Sequence, residues 1–582
     1  MSVPVKIRRR QGNSPEPDWP PGLSPLLRRI YAGRGVTKAQ ELESGLAHLE
    51  SFHALKSIDS AAILLQQALV EQWHILIVGD FDADGATATT LAVHALRRMG
   101  AAKVSYIVPD RFIHGYGLSP EIVALAQQQN PKLIITVDNG ISSVEGVAAA
   151  KSLGMRVLVT DHHLPGKTLP DADAIVNPNQ PGCSFGSRNL AGVGVVFYVL
   201  SALRARLREQ GWFSERSEPA MADYLDLVAL GTVADVVPLD HNNRILISQG
   251  LQRIRNGYAR PGIRALAQVA GRETSQLVAA DIGFGLAPRL NAAGRMQDMA
   301  VGIDCLLAED ETTALKLALE LDALNKERRV RQQEMQDEAL AGLEAAESEL
   351  SGDLPAGLCL HQADWHEGIV GLVAGKVRER HFRPVVAFAK TGEAGELLKG
   401  SARSIPGVHI RDVFAAIAAN HPNLIDKFGG HAMAAGLSMR AEHYADFSMA
   451  FATEIERWVT PEQLQNIVDT DGELLPEEFN IEAANQLRSA GPWGQNFPEP
   501  GFDGLFTVVN QRLVGERHMK LKLKPQDSEN VIEAIAFNHE DALPSGRLVR
   551  MVYRLDVNEY QGLRSAQLIV THVLPDASAH NN

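Results

Sequence analysis

Cysteine is scarce. Cys183, Cys305 and Cys359 are the only three in 582 residues, are far apart, and form no C-x-x-C pair, which excludes a disulfide framework and a thiolate metal site. They read as small core residues. No apolar run approaches the ~20 residues that a membrane helix needs. The opening MSVPVKIRRRQGN carries charge without an apolar stretch behind it, so neither a span nor a secretory signal is predicted, and a cytoplasmic location is expected. Several motifs are missing as well. There is no G-x-x-x-x-G-K-[ST], so ATP-driven unwinding is not expected. His366 and Glu367 do not complete H-E-x-x-H, and GVGVVF at Gly192 is only a fragment of G-x-G-x-x-G, so neither a zinc protease nor a dinucleotide site is implied. Positive charge is short: 56 Lys and Arg face 70 Asp and Glu, a net charge of −14. Taken alone this disfavours a polyanionic partner. Nucleic acid, however, senses local patches within a Debye length of about 8 Å, and a carboxylate metal site counts as negative until its ions are added.

What remains is an ordinary globular composition, 45% hydrophobic and 22% charged, in a chain too long for one core. Residues 1–50 hold IRRR, the proline-rich SPEPDWPPG and a short helical pattern, read as an arm or accessory element. The cluster Arg8 to Arg10 reads as a solvated tail. From 51 to 304 apolar strands at 74–78, 104–108, 133–137 and 156–160 alternate with helix-length segments, the pattern of a parallel α/β sheet. Residues 305–341 contain neither Gly nor Pro, and Leu317, Leu321 and Leu324 recur at helical spacing. The spacing predicts one long connecting helix over 305–349, with a charged second half suited to bridging two bodies across solvent. A second α/β unit is expected over 350–460 and a strand-rich unit over 461–575. In HMKLKLK (518–524), Met519, Leu521 and Leu523 alternate with Lys520, Lys522 and Lys524, a packed face and a basic stripe. The stripe suits a single-strand groove or, nearly as well, an edge strand protected by lysines.

The chemistry concentrates in the turns after the strands. DFDADG (80–85) follows the first, PDRFIHGYG (109–117) the second, DNG (138–140) the third and DHH (161–163) the fourth, while GTVADVVPL contributes Asp235. In an open parallel sheet all strand-end turns lie at the carboxyl edge, where ligands bind. Asp80, Asp82, Asp84, Asp138, His162, His163 and Asp235 are thereby brought together. That many carboxylates in one place repel unless cations sit among them. Oxygen ligands with one or two imidazoles suit Mn²⁺ or Mg²⁺, and the number of acids suggests two ions. Two such ions roughly 3.5–4 Å apart serve in-line displacement at phosphorus. Singly, each motif has a plainer explanation: D-x-D as a helix cap, DNG as a turn, HH as surface.

DFDADG, PDRFIHGYG, VDNGI, DHH and GTVADVVPL occur in the order and spacing of the DHH phosphoesterase family, which the chain resembles from about residue 70 to its carboxyl terminus. PRLNAAGR (288–295), WHEGIVG (365–371), GSARS (400–404) and FGGHAMAAG (428–436) narrow the resemblance to the family's bacterial single-strand-specific DNA exonucleases. The resemblance implies an α/β fold: a parallel-sheet DHH domain, a long helix, a DHH-associated α/β domain and a C-terminal OB-like β-barrel around a central hole. It implies 5′→3′ hydrolysis of single-stranded DNA to mononucleotides with two Mn²⁺ or Mg²⁺. Asp82 and Asp138, with Asp80, would hold one ion; Asp84, Asp138, His162 and Asp235 the other; His163 would face the scissile phosphate, with Asp161 orienting an imidazole. Ser401 and Arg403 suit a terminal phosphate. Gly429 and Gly430 suit close backbone approach beside His431, and Arg111, His114, Arg289, Asn291 and Arg295 suit backbone phosphates. Arg289 and Arg295 have a competing reading as internal salt-bridge partners, and Trp365 reads as core. Expected partners are single-stranded DNA, a helicase and a single-strand binding protein, with the chain a monomer and no membrane. The alternatives are a phosphodiesterase on short oligonucleotides, cyclic dinucleotides or pyrophosphate, and a non-catalytic DNA-binding scaffold, which would not need its acids.

Overall fold

A computed structural model describes all residues except 1–4, 13–17, 111–115, 350–353, 392–394, 431, 461, 516, 561 and 575–582, and describes the side chains of neither 342–349 nor 560. The chain opens on a strand, β1 (Val5–Arg9), and enters its first large unit through helix Ile58–Val70. Strands β2 (His74–Val78), β3 (Lys103–Ile107), β4 (Leu133–Val137), β5 (Arg156–Thr160) and β6 (Ala174–Val176) form a parallel sheet in the order β3-β2-β4-β5-β6. All five residues of β4 and the last four of β2 and β5 are buried, as expected for strands covered by helices on both faces. The order reverses between β2 and β4. Ligands in doubly wound sheets bind at such a switch, and DFDADG and DNG flank it.

Helices Gly192–Glu209, Leu225–Ala234 and Ala287–Met296 close over that edge. The long helix runs Glu311–Glu349, about 58 Å at 1.5 Å per residue. It starts later than the missing Gly and Pro suggest. Residues 300–307 form a separate helix, the chain extends at Ala308, and the Asp310 carboxylate accepts from the Thr313 N–H at 2.9 Å to start a new one. Ala314, Ala318, Leu321 and Leu324 belong to the core of the first unit, whereas Met335 and Ala339 belong to that of the second, so the helix is shared between two cores.

The second unit carries β7 (Leu358–His361), β8 (Val385–Thr391), β9 (Leu397–Arg403), β10 (Lys427–Gly430) and β11 (Ala434–Arg440) in the order β10-β11-β9-β8-β7. Only β7 and β8 pair in parallel. Trp365 is buried and donates to Glu338 of the long helix at 2.8 Å, the core role expected of it. After β12 (Asn466–Thr470), strands β13 (Phe502–Val514), β14 (His518–Pro525), β15 (Ile532–Ala536), β16 (Leu548–Tyr560) and β17 (Leu563–Leu574) close into a barrel, β13-β14-β15-β17-β16.

The amino-terminal basic cluster is not a solvated tail. β1 pairs in parallel with β12, Arg8 holds Asp469 at 2.6 Å, and Arg9 holds the buried Asp503 at 2.7 Å. Arg34 is buried against Asp471, and Leu26 and Ile30 join the barrel core. What reads as a solvated cluster is the end of a short strand whose partner lies 461 residues further along the chain.

Candidate metal centre

The acid turn is built by local capping. Asp80 Oδ1 accepts from the Phe81 N–H at 2.7 Å, and Asp82 caps helix Ala83–Arg98 by accepting from the Gly85 N–H at 2.9 Å. The plainer explanation of D-x-D therefore also holds: the cap fixes the direction of the acids. A Cβ at Gly85 would lie 2.6 Å from that of Asp80, which only glycine avoids. Asp84 is buried and receives the N–H groups of Gly192 (2.6 Å) and Val193 (3.0 Å) at the start of helix Gly192–Glu209. Even so, burial and the charge of Asp82 push its carboxyl up to about 7.

Asp138 sits just past β4 with φ +62°, the left-handed region. A Cβ on Gly192 would be 2.5 Å from the Asp138 Cβ, so this glycine lets the helix approach both Asp84 and Asp138. GVGVVF, unhelpful as a nucleotide motif, is a support for two acids. His162 Nε2 lies 3.1 Å from Asp138 Oδ1 and 3.4 Å from Asp235 Oδ2. Those two carboxylate oxygens are buried without a hydrogen bond. Burial and the neighbouring acids push both carboxyls well above the usual range.

His163 is oriented from behind. Its Nδ1 lies 2.7 Å from Asp161 Oδ1, which also accepts the N–H groups of His162 (2.7 Å) and His163 (3.0 Å). Burial opposes the imidazolium, but Asp161 outweighs it and raises the His163 pKa. Tyr116, not singled out by its sequence, donates to the Asp138 carbonyl at 2.9 Å and lies 3.1 Å from His163 Nδ1.

Ligand atoms of three sets lie within 4.8 Å of one another: Asp80, Asp82 and Asp138; Asp84, His162 and Asp235; Asp138, His162 and His163. The structure thus brings together all seven acids and histidines, six from strand-end turns and Asp235 from the end of helix Leu225–Ala234. Carboxylate oxygens kept unprotonated only at a cost, two of them lacking any donor, with one or two imidazoles among them, fit hard divalent cations. Asp138 belongs to two of the sets.

The PRLNAAGR segment is held by bonds inside the protein. Arg289 bonds to Asp322 at 2.8 Å and to the Gly285 and Val269 carbonyls, the internal pairing that competes with a phosphate contact. The Asn291 side-chain oxygen is spent on the Ala83 N–H at 2.8 Å, and a Cβ on Gly294 would strike the Phe81 carbonyl. The segment clamps the acid turn. Arg295 donates to the Gly368 carbonyl of the second unit at 3.1 Å. Across that contact a Cβ on Gly371 would fall 2.7 Å from Ser401 Oγ and 3.0 Å from an Arg403 nitrogen, beside the first turn of helix Val370–His381. Burial and Arg378 lower the Arg403 pKa, and no carboxylate pairs with it among the described residues.

Gly430 is required by its φ of +130°, whereas a Cβ on Gly429 would meet nothing, leaving that surface open to an approaching molecule. His431, Arg111 and His114 lie outside the described residues. The lysine stripe is partly spent: Lys520 pairs with Glu533 at 3.0 Å and Lys524 with Glu529 at 2.7 Å, which leaves Lys522 as its exposed charge.

Three family models match the chain: the DHH family N-terminal domain over residues 74–232, the DHHA1 domain over 355–458 and the RecJ OB domain over 470–572. The chain is 53% identical over 580 residues to the single-stranded-DNA-specific exonuclease RecJ of Dickeya dadantii, covering 99% of this chain and 100% of that protein. The chain belongs to the RecJ family. It is 50% identical over 580 residues to RecJ of Escherichia coli, again covering 99% of this chain and 100% of the relative. The crystal structure of RecJ with Mn²⁺ from Thermus thermophilus superposes with a TM-score of 0.79 at 28% identity, over 98% of this chain and 80% of that one. As a RecJ-family fold, the DHH sheet, the shared helix, the DHHA1 sheet and the OB barrel set the acids at one edge, with the Ser401–Arg403 strand beyond them.

Proposed function

We propose that this chain hydrolyses single-stranded DNA stepwise from the 5′ end, releasing mononucleotides, with two Mn²⁺ or Mg²⁺ ions. The observation that carries the reading is Asp138: its carboxylate stands in two overlapping donor sets at the switch of a parallel sheet. Asp82 and Asp138, with Asp80, would hold one ion, and Asp84, Asp138, His162 and Asp235 the other. The ions, when bound, supply an acidified water and neutralise the charge that develops at phosphorus. The Thermus thermophilus RecJ structures, one with Mn²⁺ and one with Mg²⁺, support that choice of metals.

The protein's own groups orient and neutralise. His163, aimed by Asp161, would face the scissile phosphate as a hydrogen-bond donor. Gly192 and Val193 hold Asp84 in place, and Asn291 with Gly294 fixes the acid turn. Ser401 and the half-buried Arg403, beside the amino end of a helix, grip a terminal phosphate and so set the polarity. The family's names support a single-stranded DNA substrate, and the OB barrel offers a surface for it. A helicase would supply the strands, since the sequence carries no ATP-binding loop of its own, and a single-strand binding protein would present them. The chain would act in the cytoplasm as a monomer; no helix of the described residues is long and apolar enough to cross a membrane.

The test is direct. Purified protein with Mn²⁺ is given end-labelled single strands, duplex, a cyclic dinucleotide and pyrophosphate, with a chelator control. The expected result is metal-dependent mononucleotide release from single strands alone, beginning at the 5′ end. Intact single strands beside a consumed dinucleotide or pyrophosphate would replace the reading.

A further inference from the structure

Helix Ala287–Met296 connects three places. At its first turns Ala287 and Asn291 line a cavity of about 1350 Å³ whose other wall comes from the barrel. In its middle Asn291 and Gly294 meet the acid turn, and at its end Arg295 reaches Gly368, near Ser401 and Arg403. A strand with its terminal phosphate on Ser401 and Arg403 and its scissile bond over the acids therefore has its 3′ body directed into the cavity. Val236, next to Asp235, is 65% exposed there, so the cavity opens beside the metal centre.

Two rings stand exposed on opposite walls. Phe284 is 84% exposed in a π-helical turn, Ile282–Leu286, between Gly283 and Gly285. Such turns are rare and concentrate at functional sites. Phe537, on the barrel side, is 54% exposed and lines the same cavity. Charge does not explain the cleft: its five arginines, Arg244, Arg255, Arg272, Arg488 and Arg554, are balanced by five acids, Glu41, Glu43, Asp281, Glu499 and Asp556, and three of the arginines pair with these directly. A neutral cleft with aromatic walls, continuous with a nuclease edge, suits bases rather than phosphates.

We propose that Phe284 and Phe537 are stacking platforms for the bases 3′ of the scissile bond, taking successive nucleotides irrespective of sequence. This rests on the exonuclease reading above. Stacking on π-faces discriminates little among bases, as degradation irrespective of sequence requires.

The full chain in chelator is titrated by anisotropy against a 5′-phosphorylated oligothymidylate 20-mer and against an abasic strand of the same length. Phe284→Ala and Phe537→Ala should each weaken the oligothymidylate complex about tenfold. The slope of log affinity against log salt should stay that of the wild type, and the abasic complex should not weaken. Phe284→Trp should restore affinity, which separates stacking from a folding defect. Equal weakening on both strands, or none on oligothymidylate, overturns the proposal. Strand degradation by the wild type in Mn²⁺ is scored in a separate arm, so failure of the exonuclease reading is seen independently of failure at Phe284.

Discussion

Replacing Asp138 by Asn should stabilise the metal-free protein while abolishing its activity. The ligand atoms of Asp80, Asp82 and Asp138 lie within 4.8 Å of one another. At that separation two unit charges repel by roughly 3.5 kcal/mol at an effective dielectric of about 20. Without cations the protein relieves part of this by taking up protons, which is why burial and neighbouring acids raise the carboxyls of Asp138, Asp84 and Asp235. Asparagine keeps the shape, tolerates the φ of +62°, and removes the charge common to two donor sets. A gain of about 2–4 kcal/mol is expected at pH 8 in chelator, a Tm rise of roughly 5–15 °C for a unit of this size. The sign of the pH dependence follows from the raised carboxyls. Taking Asp84, ordinarily 3.8 and here about 7, the stability it contributes is full below about 4 and is lost as pH rises through about 7. Chelated wild type should therefore melt lower at pH 8 than at pH 5, and Asp138→Asn should show a shallower slope. Adding Mn²⁺ should raise the wild-type Tm and leave the variant nearly unmoved. Differential scanning fluorimetry across pH, with a parallel nuclease assay, checks each point. A variant that melts at or below wild type in chelator at pH 8 would refute the picture of acids held against their own repulsion.

Gly192→Ala places a methyl group 2.5 Å from the Asp138 Cβ and pushes back the helix whose N–H groups hold Asp84. It should cost about 1–3 kcal/mol through overpacking and weaken Mn²⁺ binding measured by calorimetry; wild-type affinity would remove the helix start from the metal centre. Arg403→Ala should lower cleavage of 5′-phosphorylated strands to the level of 5′-hydroxyl strands in a side-by-side rate assay, and an undiminished preference would assign the terminal phosphate elsewhere.

The metal-centre acids were legible because a strand followed by a polar turn fixes where a side chain goes: parallel strands 74–78, 133–137 and 156–160 must present their next residues at one edge. Their supports were not. Asn291 and Gly294 reach the acid turn across a helix contact some two hundred residues distant in sequence, and nothing in PRLNAAGR distinguishes a clamp from a phosphate grip. Arg289 illustrates the difficulty, since an arginine's partner is decided by packing and its partner Asp322 lies on another helix. The lysine stripe alternates as read, but its facing acids Glu533 and Glu529 come from the next strand and its approach. Helix length was over-read because the absence of Gly and Pro does not guarantee continuity; Asp310 restarts the helix by capping.

The pairing of β1 with β12 has a consequence for biosynthesis. Arg8 and its partner Asp469 are separated by 461 residues, so at ribosomal rates the first strand waits roughly 25–90 s for the strand it joins. During that interval its backbone edge and its arginines are unsatisfied, and the sheet unit of residues 74–232 can fold ahead of it. The last segments to emerge, β12 and the barrel, are thus what fastens the first, and a nascent chain stalled before residue 466 carries a loose amino end for proteases to find.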